Sequence, residues 1–300
     1  MAKNIAASRQ KKPSGLSDKV SDIVLVVICA AVMLIVAYPL YYVLVASFSD
    51  PYDVYAGKTF LLPSQFTLKG YQAVFADSAL FSGFINSIKY TVIGTIYSVV
   101  MIYLVAYPLS VKDLPGRKYI SLFFVITMYF GGGVVPFFLL VKNLGLYGNR
   151  FAVVIALAFN AFNMIILRNF FESLPPDLEE AAMLDGASPF RIFWQIDLPL
   201  MKPALATVTL YFIVDRWNEW FWSNLLFLDS KMWPMQLELR QILWTSSALA
   251  ADVPAELGRR TYADGMKAAA VIVTMLPIMC VYPFLQKYFA KGVMIGAIKS

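Results

Sequence analysis

Six stretches of this chain are long and apolar enough to cross a bilayer, and that feature removes most soluble folds from consideration. They cover 23–48, 86–110, 119–141, 151–171, 204–228 and 267–288. A helix needs about 20 predominantly apolar residues to span about 30 Å of hydrocarbon, and lipid tolerates only helices or closed barrels. Hydrophobic residues make up 59% of the chain and charged ones 15%, against about 25% charged in an ordinary soluble domain. A soluble core has no use for so many separate runs. The chain therefore reads as an all-α membrane protein with six transmembrane helices and both termini in the cytoplasm.

The polar segments set this topology. Residues 1–22 form a basic cytoplasmic segment carrying Lys3, Arg9, Lys11, Lys12 and Lys19. The run that follows exceeds the roughly 7–15 apolar residues of a cleavable signal and reads as an uncleaved first helix. The membrane domain extends over 23–288, and 289–300 form a cytoplasmic tail. Residues 49–85, with Pro51, Gly57, Pro63 and Gly70, read as an external loop containing short helices. Lys112, Arg117 and Lys118 place the short loop 111–118 inside, because cytoplasmic loops are enriched in Lys and Arg. The external segment 229–266 carries Lys231, Arg240, Arg259 and Arg260 against that rule, but longer loops weigh less in it.

Several chemistries are excluded. The chain has no histidine, which removes His-based triads, proton relays and His-ligated metals; no metal site is expected. Cys29 and Cys280 lie inside apolar runs and read as small buried hydrophobes. The net charge of +6 gathers at span ends, so it reports topology rather than nucleic-acid binding. No G-x-x-x-x-G-K-[ST] loop is present to cradle ATP phosphates.

The polar break 172–202 is the most informative segment. Pro175-Pro176 stops the preceding helix, and Asp177 stands three residues before Glu180, the spacing of a capping box. Gly186 is a natural left-handed stop. Ser188 then caps a second short helix with Pro189 at its first position; this helix carries Phe190, Phe193 and Trp194 and is expected to end before Pro199. Such a pair suits docking in a partner's groove, or equally an amphipathic helix resting on the bilayer surface.

The same residues carry a resemblance. Glu180-Ala181-Ala182, three residues, Gly186, nine residues, Ile196, one residue and Leu198-Pro199 resemble the EAA motif of binding-protein-dependent ATP-binding cassette (ABC) permeases at every defined position. Asp185-Gly186-Ala187-Ser188, Leu198-Pro199-Leu200 with Pro203, and Trp217-Asn218 resemble the carbohydrate-uptake members. The ending Lys291-Gly292 to Gly296-Ala297-Ile298-Lys299 resembles the tail of the maltose-type second permease subunit.

The resemblance implies that Glu180, Ala181, Ala182, Asp185, Gly186, Leu198 and Pro199 couple the chain to a separate ATPase. It implies that Lys291, Gly292, Gly296 and Lys299 reach toward that ATPase. The implied partners are a cytoplasmic ATPase dimer holding ATP and Mg, a second and non-identical permease, an extracytoplasmic solute-binding protein, a sugar and membrane lipid, with no cofactor and no nucleic acid on this chain. The implied location is a prokaryotic cell membrane with the N-terminus inside.

The fifth span holds Asp215, Arg216, Trp217, Asn218, Glu219, Trp220 and Trp222. Position 216 lies about 18 Å into a helix starting at Ala204, where an unpaired charge is costly. Asp215 and Arg216 read as a structural polar cluster locking two permease subunits together, with Arg216 and Glu219 spaced to pair on one face. Trp217, Asn218, Glu219 and Trp220 are the candidates for lining a sugar path. Gly131-Gly132-Gly133 in the third span reads as a close-packing site, with a broken helix as the alternative. Asn160 and Asn163 bond to neighbouring helices or line the path. The function read from all this is alternating access by one permease subunit of an ATP-driven sugar importer. An importer for a non-sugar solute, a self-contained carrier and an intramembrane enzyme using Asp215 and Glu219 are the other classes.

Overall fold

The computed structural model describes residues 16–252, 266–281 and 283. The tail candidates Lys291, Gly292, Gly296 and Lys299, the cations Arg259 and Arg260, and most of the basic N-terminal segment lie outside the described residues. Among the described residues there is no named strand, only a single bridge between Ser49 and Phe66.

Helix α1 (Leu16–Ser47) is apolar around its whole circumference. Within Val20–Ser47 an 18-residue window reaches a mean hydropathy of 2.9, and none of that window is buried against the rest of the chain. Only Val45, Ala46, Ser47 and the following Ser49 pack inward. A helix that is apolar all round belongs in lipid or in a larger core. Helices α2 (Pro51–Tyr55) and α3 (Lys69–Ala76) follow in the polar connection. Cys29 and Cys280 are exposed on the bundle surface rather than buried as expected, because the helices that carry them turn those faces away from the chain's own core.

Helix α4 (Ser78–Ser110) is the spine. Asp77 starts it before the expected 86, its carboxylate accepting from the Ala79 and Leu80 amides at 2.8 and 3.1 Å. At 1.5 Å per residue it is about 50 Å long. Gly83, Ser87, Tyr90, Gly94, Ser98, Ile102, Ala106 and Leu109 fall three or four apart along it, and all are buried. Lipid gives helices no hydrophobic drive to associate, so small and polar side chains on such a stripe carry the packing.

The third, fourth and fifth predicted spans are interrupted. Helices α5 (Arg117–Tyr129) and α6 (Val134–Asn143) replace one straight third span and meet at a bend of 117°. Gly131 and Gly133 have nothing within 4 Å of where a side chain would start, so the glycine run is a break and not a close-packing surface. The fourth span divides into α7 (Ala152–Ala156) and α8 (Ala161–Glu172). Asn160 caps α8 by accepting from the Asn163 amide at 3.0 Å.

Next come α9 (Pro176–Leu184), α10 (Pro189–Ile192), a π-helical turn at Phe193–Asp197, and α11 (Leu198–Leu200). The fifth span is divided between α12 (Lys202–Trp217) and α13 (Phe221–Leu226). The segment read as an external connection contains α14 (Met235–Asp252), and α15 (Met266–Val281) runs to the edge of the described residues. Among the described residues, α1 and α4 reach spanning length alone. Two bent pairs reach it together, α5 with α6 and Phe190–Leu200 with α12.

The glycine break generates a test. Gly133 has φ 84° and ψ 176°, a region essentially reserved for glycine. Gly133→Ala is expected to destabilise the purified protein by about 1–3 kcal/mol, read as a lower thermal midpoint in detergent. Gly131→Ala, in open space without positive φ, is expected to leave the midpoint nearly unchanged.

Candidate functional site

Two regions gather the functional candidates, at opposite ends of α4. At one end, the α9–α10 pair projects from the bundle. Helix α9 starts two residues earlier than the capping box predicts: Pro176 takes the first turn behind Pro175, so Asp177 is already helical and no side chain caps the end. At the other terminus Gly186 adopts φ 75°. Its amide donates to Met183 O at 3.0 Å and the Ala187 amide to Ala182 O at 2.9 Å, the paired closure that a left-handed glycine permits. Ser188 then caps α10, its Oγ accepting from the Arg191 amide at 3.3 Å.

Pro199 does not stop the chain here. The Leu198 amide reaches back to Phe193 O across the wider π turn, and the helix continues through Pro199, which has no N–H to place. The bend comes later, at 73° between Phe190–Leu200 and α12. Ile192 and Asp197 are buried. Phe193 lies edge-on to Tyr103 and Tyr107, with centroids 5.0 and 5.2 Å away. Glu180, Ala181, Asp185 and Gly186 are exposed and Ala182 half-exposed. The large apolar side chains beside them are bare, with Leu184 90%, Phe190 73% and Trp194 51% exposed.

Nearby, Arg168 Nε donates to Glu172 at 2.7 Å and its second nitrogen to Ser121 Oγ at 3.0 Å. Arg117 also pairs with Glu172 and donates to Leu109 O at 2.8 Å. These contacts fasten α4, α5 and α8 together beneath the projecting pair.

In the middle of the bundle Arg216 is only 4% exposed. Its guanidinium donates to Val153 O and to Ser98 Oγ, both at 3.0 Å, and also to Leu157 O. Val153 and Leu157 belong to the broken end of α7, where carbonyls lack intrahelical partners. Gly94 makes room, since a Cβ there would sit 3.3 Å from Arg216 Cδ. Glu219 does not pair with Arg216 as the spacing suggests. Its carboxylate accepts from the Trp222 amide at 2.6 Å, from the Ser223 amide at 3.1 Å and from the Ser223 hydroxyl, and so closes the start of α13. Arg216 thus bonds within its own chain, whereas the role expected of it is to lock two subunits together, and Asp215 stays exposed.

The path candidates divide. Trp217 is buried, donating from Nε1 to Thr274 O at 3.0 Å and meeting Phe84 edge-on at 6.0 Å. It also borders an apolar groove of about 360 Å³ between α4, α12 and α15. Asn218 is exposed and bonds to Val214 O at 2.8 Å and to Gln236 at 3.3 Å. Trp220 is half-buried, with the Arg240 guanidinium 3.5 Å above its ring. Sequence reasoning counted Arg240 only as a charge against the topology rule; no local signal joins it to Trp220, which lies 20 residues earlier at the start of α13.

Helix α14 is seated on the start of α4. Asn86 Nδ2 donates to the carbonyls of Lys231 and Trp233 at 2.9 and 3.0 Å, and Tyr90 to Met232 O at 2.9 Å. The Met235 amide donates to Ser87 Oγ at 2.8 Å. A Cβ on Gly83 would lie 3.1 Å from Glu238 Cγ and 3.2 Å from the Met235 backbone. Burial, with the Asp77 carboxylate nearby, pushes Glu238 up to about 7.

These features are those of a transport permease, and comparison with known proteins assigns the class. The chain belongs to the family of binding-protein-dependent transport system inner membrane components, which matches residues 79–295. Among its relatives is the polygalacturonan/rhamnogalacturonan transport system permease protein YtcP of Bacillus subtilis, 40% identical over 89% of this chain and 94% of that one. Protein LplC of the same organism is 37% identical over 95% and 96%. A chain in the crystal structure of a bacterial ABC transporter involved in the import of the acidic polysaccharide alginate superposes with TM-score 0.84 at 35% identity. That match covers 92% of this chain and 98% of the other. The fold is thus the all-α permease fold of ABC importers.

Two outcomes follow from the geometry. Arg216→Met strands two carbonyls and a hydroxyl, and each buried orphan costs about 1–3 kcal/mol. The variant is expected to lose folded protein on detergent extraction, with Arg216→Lys intermediate, as followed by size-exclusion yield and thermal melts. For Glu238, the raised pKa means the folded state disfavours the carboxylate. Its stabilising contribution is therefore complete below about 4.5 and is lost as pH rises through about 7. Glu238→Gln is expected to raise the thermal midpoint at about pH 8 by roughly 2–4 °C, the shift of about 1 kcal/mol in a chain of this size. The variant gains nothing at about pH 5.

Proposed function

We propose that this chain is one permease subunit of an ATP-driven importer for a sugar or oligosaccharide. It forms half of the translocation pathway beside a second, non-identical permease. ATP and Mg are held by a separate ATPase dimer that docks on the α9–α10 pair, and an external solute-binding protein delivers cargo to the opposite end. In this arrangement both termini and the Glu180 segment are cytoplasmic. The cargo class is supported by the polygalacturonan/rhamnogalacturonan permease and the alginate importer among the relatives.

The observation that carries the reading is the bare apolar surface of Leu184, Phe190 and Trp194 beside Glu180–Gly186. Monomers rarely leave such side chains clustered and uncovered outside a docking surface. The mechanical route inward is continuous. A push on α9 passes through the Gly186 turn to α10. Phe193 bears on Tyr103, Tyr107 and the core around Met201, and the Met201 amide donates to the Asp197 carbonyl at 2.8 Å. From Met201 the rigid helix α12 leads about 24 Å to Arg216 and the break after Trp217. Closure at one end thereby moves the elements around the candidate path.

Transport of labelled oligosaccharide into proteoliposomes holding the assembled complex tests this. Gly186→Val puts a branched side chain at positive φ where nothing else packs, so it alters the docking turn while sparing the core. Uptake is expected to fall at least about tenfold, the effect of roughly 1.4 kcal/mol lost in coupling, with the complex still assembled. Unchanged uptake would remove the docking role from this segment.

A further inference from the structure

Arg240 differs from the other arginines of the described residues. Arg216 is locked onto backbone carbonyls, Arg117 and Arg168 share Glu172, Arg191 bonds to Gln195, and Arg150 reaches Asn86. Arg240 is exposed, and among the described residues it has neither an ion pair nor a hydrogen bond. Its guanidinium carbon lies over the Trp220 ring, 3.5 Å from the centroid. Stacking of this kind holds the planar group by one face and leaves its five N–H donors pointing outward in a fixed fork. That fork matches the two oxygens of a carboxylate.

The surroundings add the rest of a sugar-reading surface. Gln236 stands one turn before Arg240 on the same face of α14, and its amide donates to Asn218 Oδ1 at 3.3 Å. This leaves the Gln236 carbonyl oxygen free to accept, since among the described residues no bond to it is found. Trp220 contributes an aromatic ring that is still half-exposed. A cation, an aromatic surface and a neighbouring amide pair meet the carboxylate, the C–H face and the hydroxyls of a uronic acid unit. The location fits delivery from outside. Helix α14 sits against Gly83, while the docking segment bears on Tyr103, about 30 Å further along α4.

We propose that Arg240 and Trp220, with Gln236 and Asn218, form a subsite on this permease for the carboxylate of an acidic, uronate-containing oligosaccharide. This rests on the oligosaccharide-import reading and narrows it to anionic cargo.

The test titrates the assembled membrane complex, purified without its soluble binding protein, with a galacturonic acid trimer and with the uncharged methyl ester of the same trimer. The wild type is expected to bind the acid at least about tenfold more tightly than the ester, the scale of one charge-assisted hydrogen-bonded contact. Arg240→Gln is expected to bring the acid down to the level of the ester while leaving the ester unchanged, with Arg240→Lys between them. Equal binding of the two forms by the wild type overturns the proposal, as does a preference that survives Arg240→Gln. Equal loss of both forms in Arg240→Gln overturns it too, assigning Arg240 to the partner subunit or to the fold. If neither form binds but the complex imports oligosaccharide, this inference alone fails. If the intact complex hydrolyses ATP and imports no oligosaccharide, the cargo reading fails with it.

Discussion

The guanidinium of Arg216 on the carbonyls of Val153 and Leu157 is the contact around which the bundle is organised. A broken helix inside a membrane leaves backbone acceptors that lipid cannot satisfy. One buried arginine closes that break, and the glycine at 94 and the serine at 98 on α4 give it space and a third partner. Glu219 performs the complementary task three residues later, taking the free amides at the start of α13. Two opposite charges thus serve the two kinds of orphan group that helix breaks create. Each is bonded to backbone rather than to the other.

This division explains what the sequence made legible. The segment from Glu180 to Pro199 was readable because its structure is local: Gly186 and Ser188-Pro189 act on amides and carbonyls within a few residues. Even there Pro176 displaced Asp177 from the cap, and a π turn carried the helix through Pro199. The apolar runs gave the fold class, yet three of them are broken, at Gly133, after Ala156 and after Trp217. Arg216 meets carbonyls about 60 residues away in sequence, and hydropathy cannot register such a partner. The small and polar stripe on α4 from Gly83 to Ala106 was visible as residue types. Its meaning came only with the elements that fill it.

The same logic links the two ends of the molecule. Helix α12 follows the buried Met201 beside the α9–α11 segment and ends at Arg216 and Trp217. The packed part of this connection is Phe193, edge-on to Tyr103 and Tyr107, and a close-packed interior transmits strain. Asn218, Trp220, Gln236 and Arg240 lie beyond that end, at the break after α12 and on α14, which Asn86, Ser87 and Tyr90 hold against α4.

The central claim is that the bare face around Leu184 is where a separate ATP-hydrolysing subunit docks. A photo-crosslinking amino acid placed at Leu184 in the chain, expressed in its native host and irradiated in intact membranes, tests this most directly. The account predicts one dominant adduct with an ATP-binding subunit, identified by mass spectrometry, and none from the same probe at the lipid-exposed Ile35. Adducts of Leu184 with lipid alone would contradict it and make α9 a helix lying on the bilayer surface.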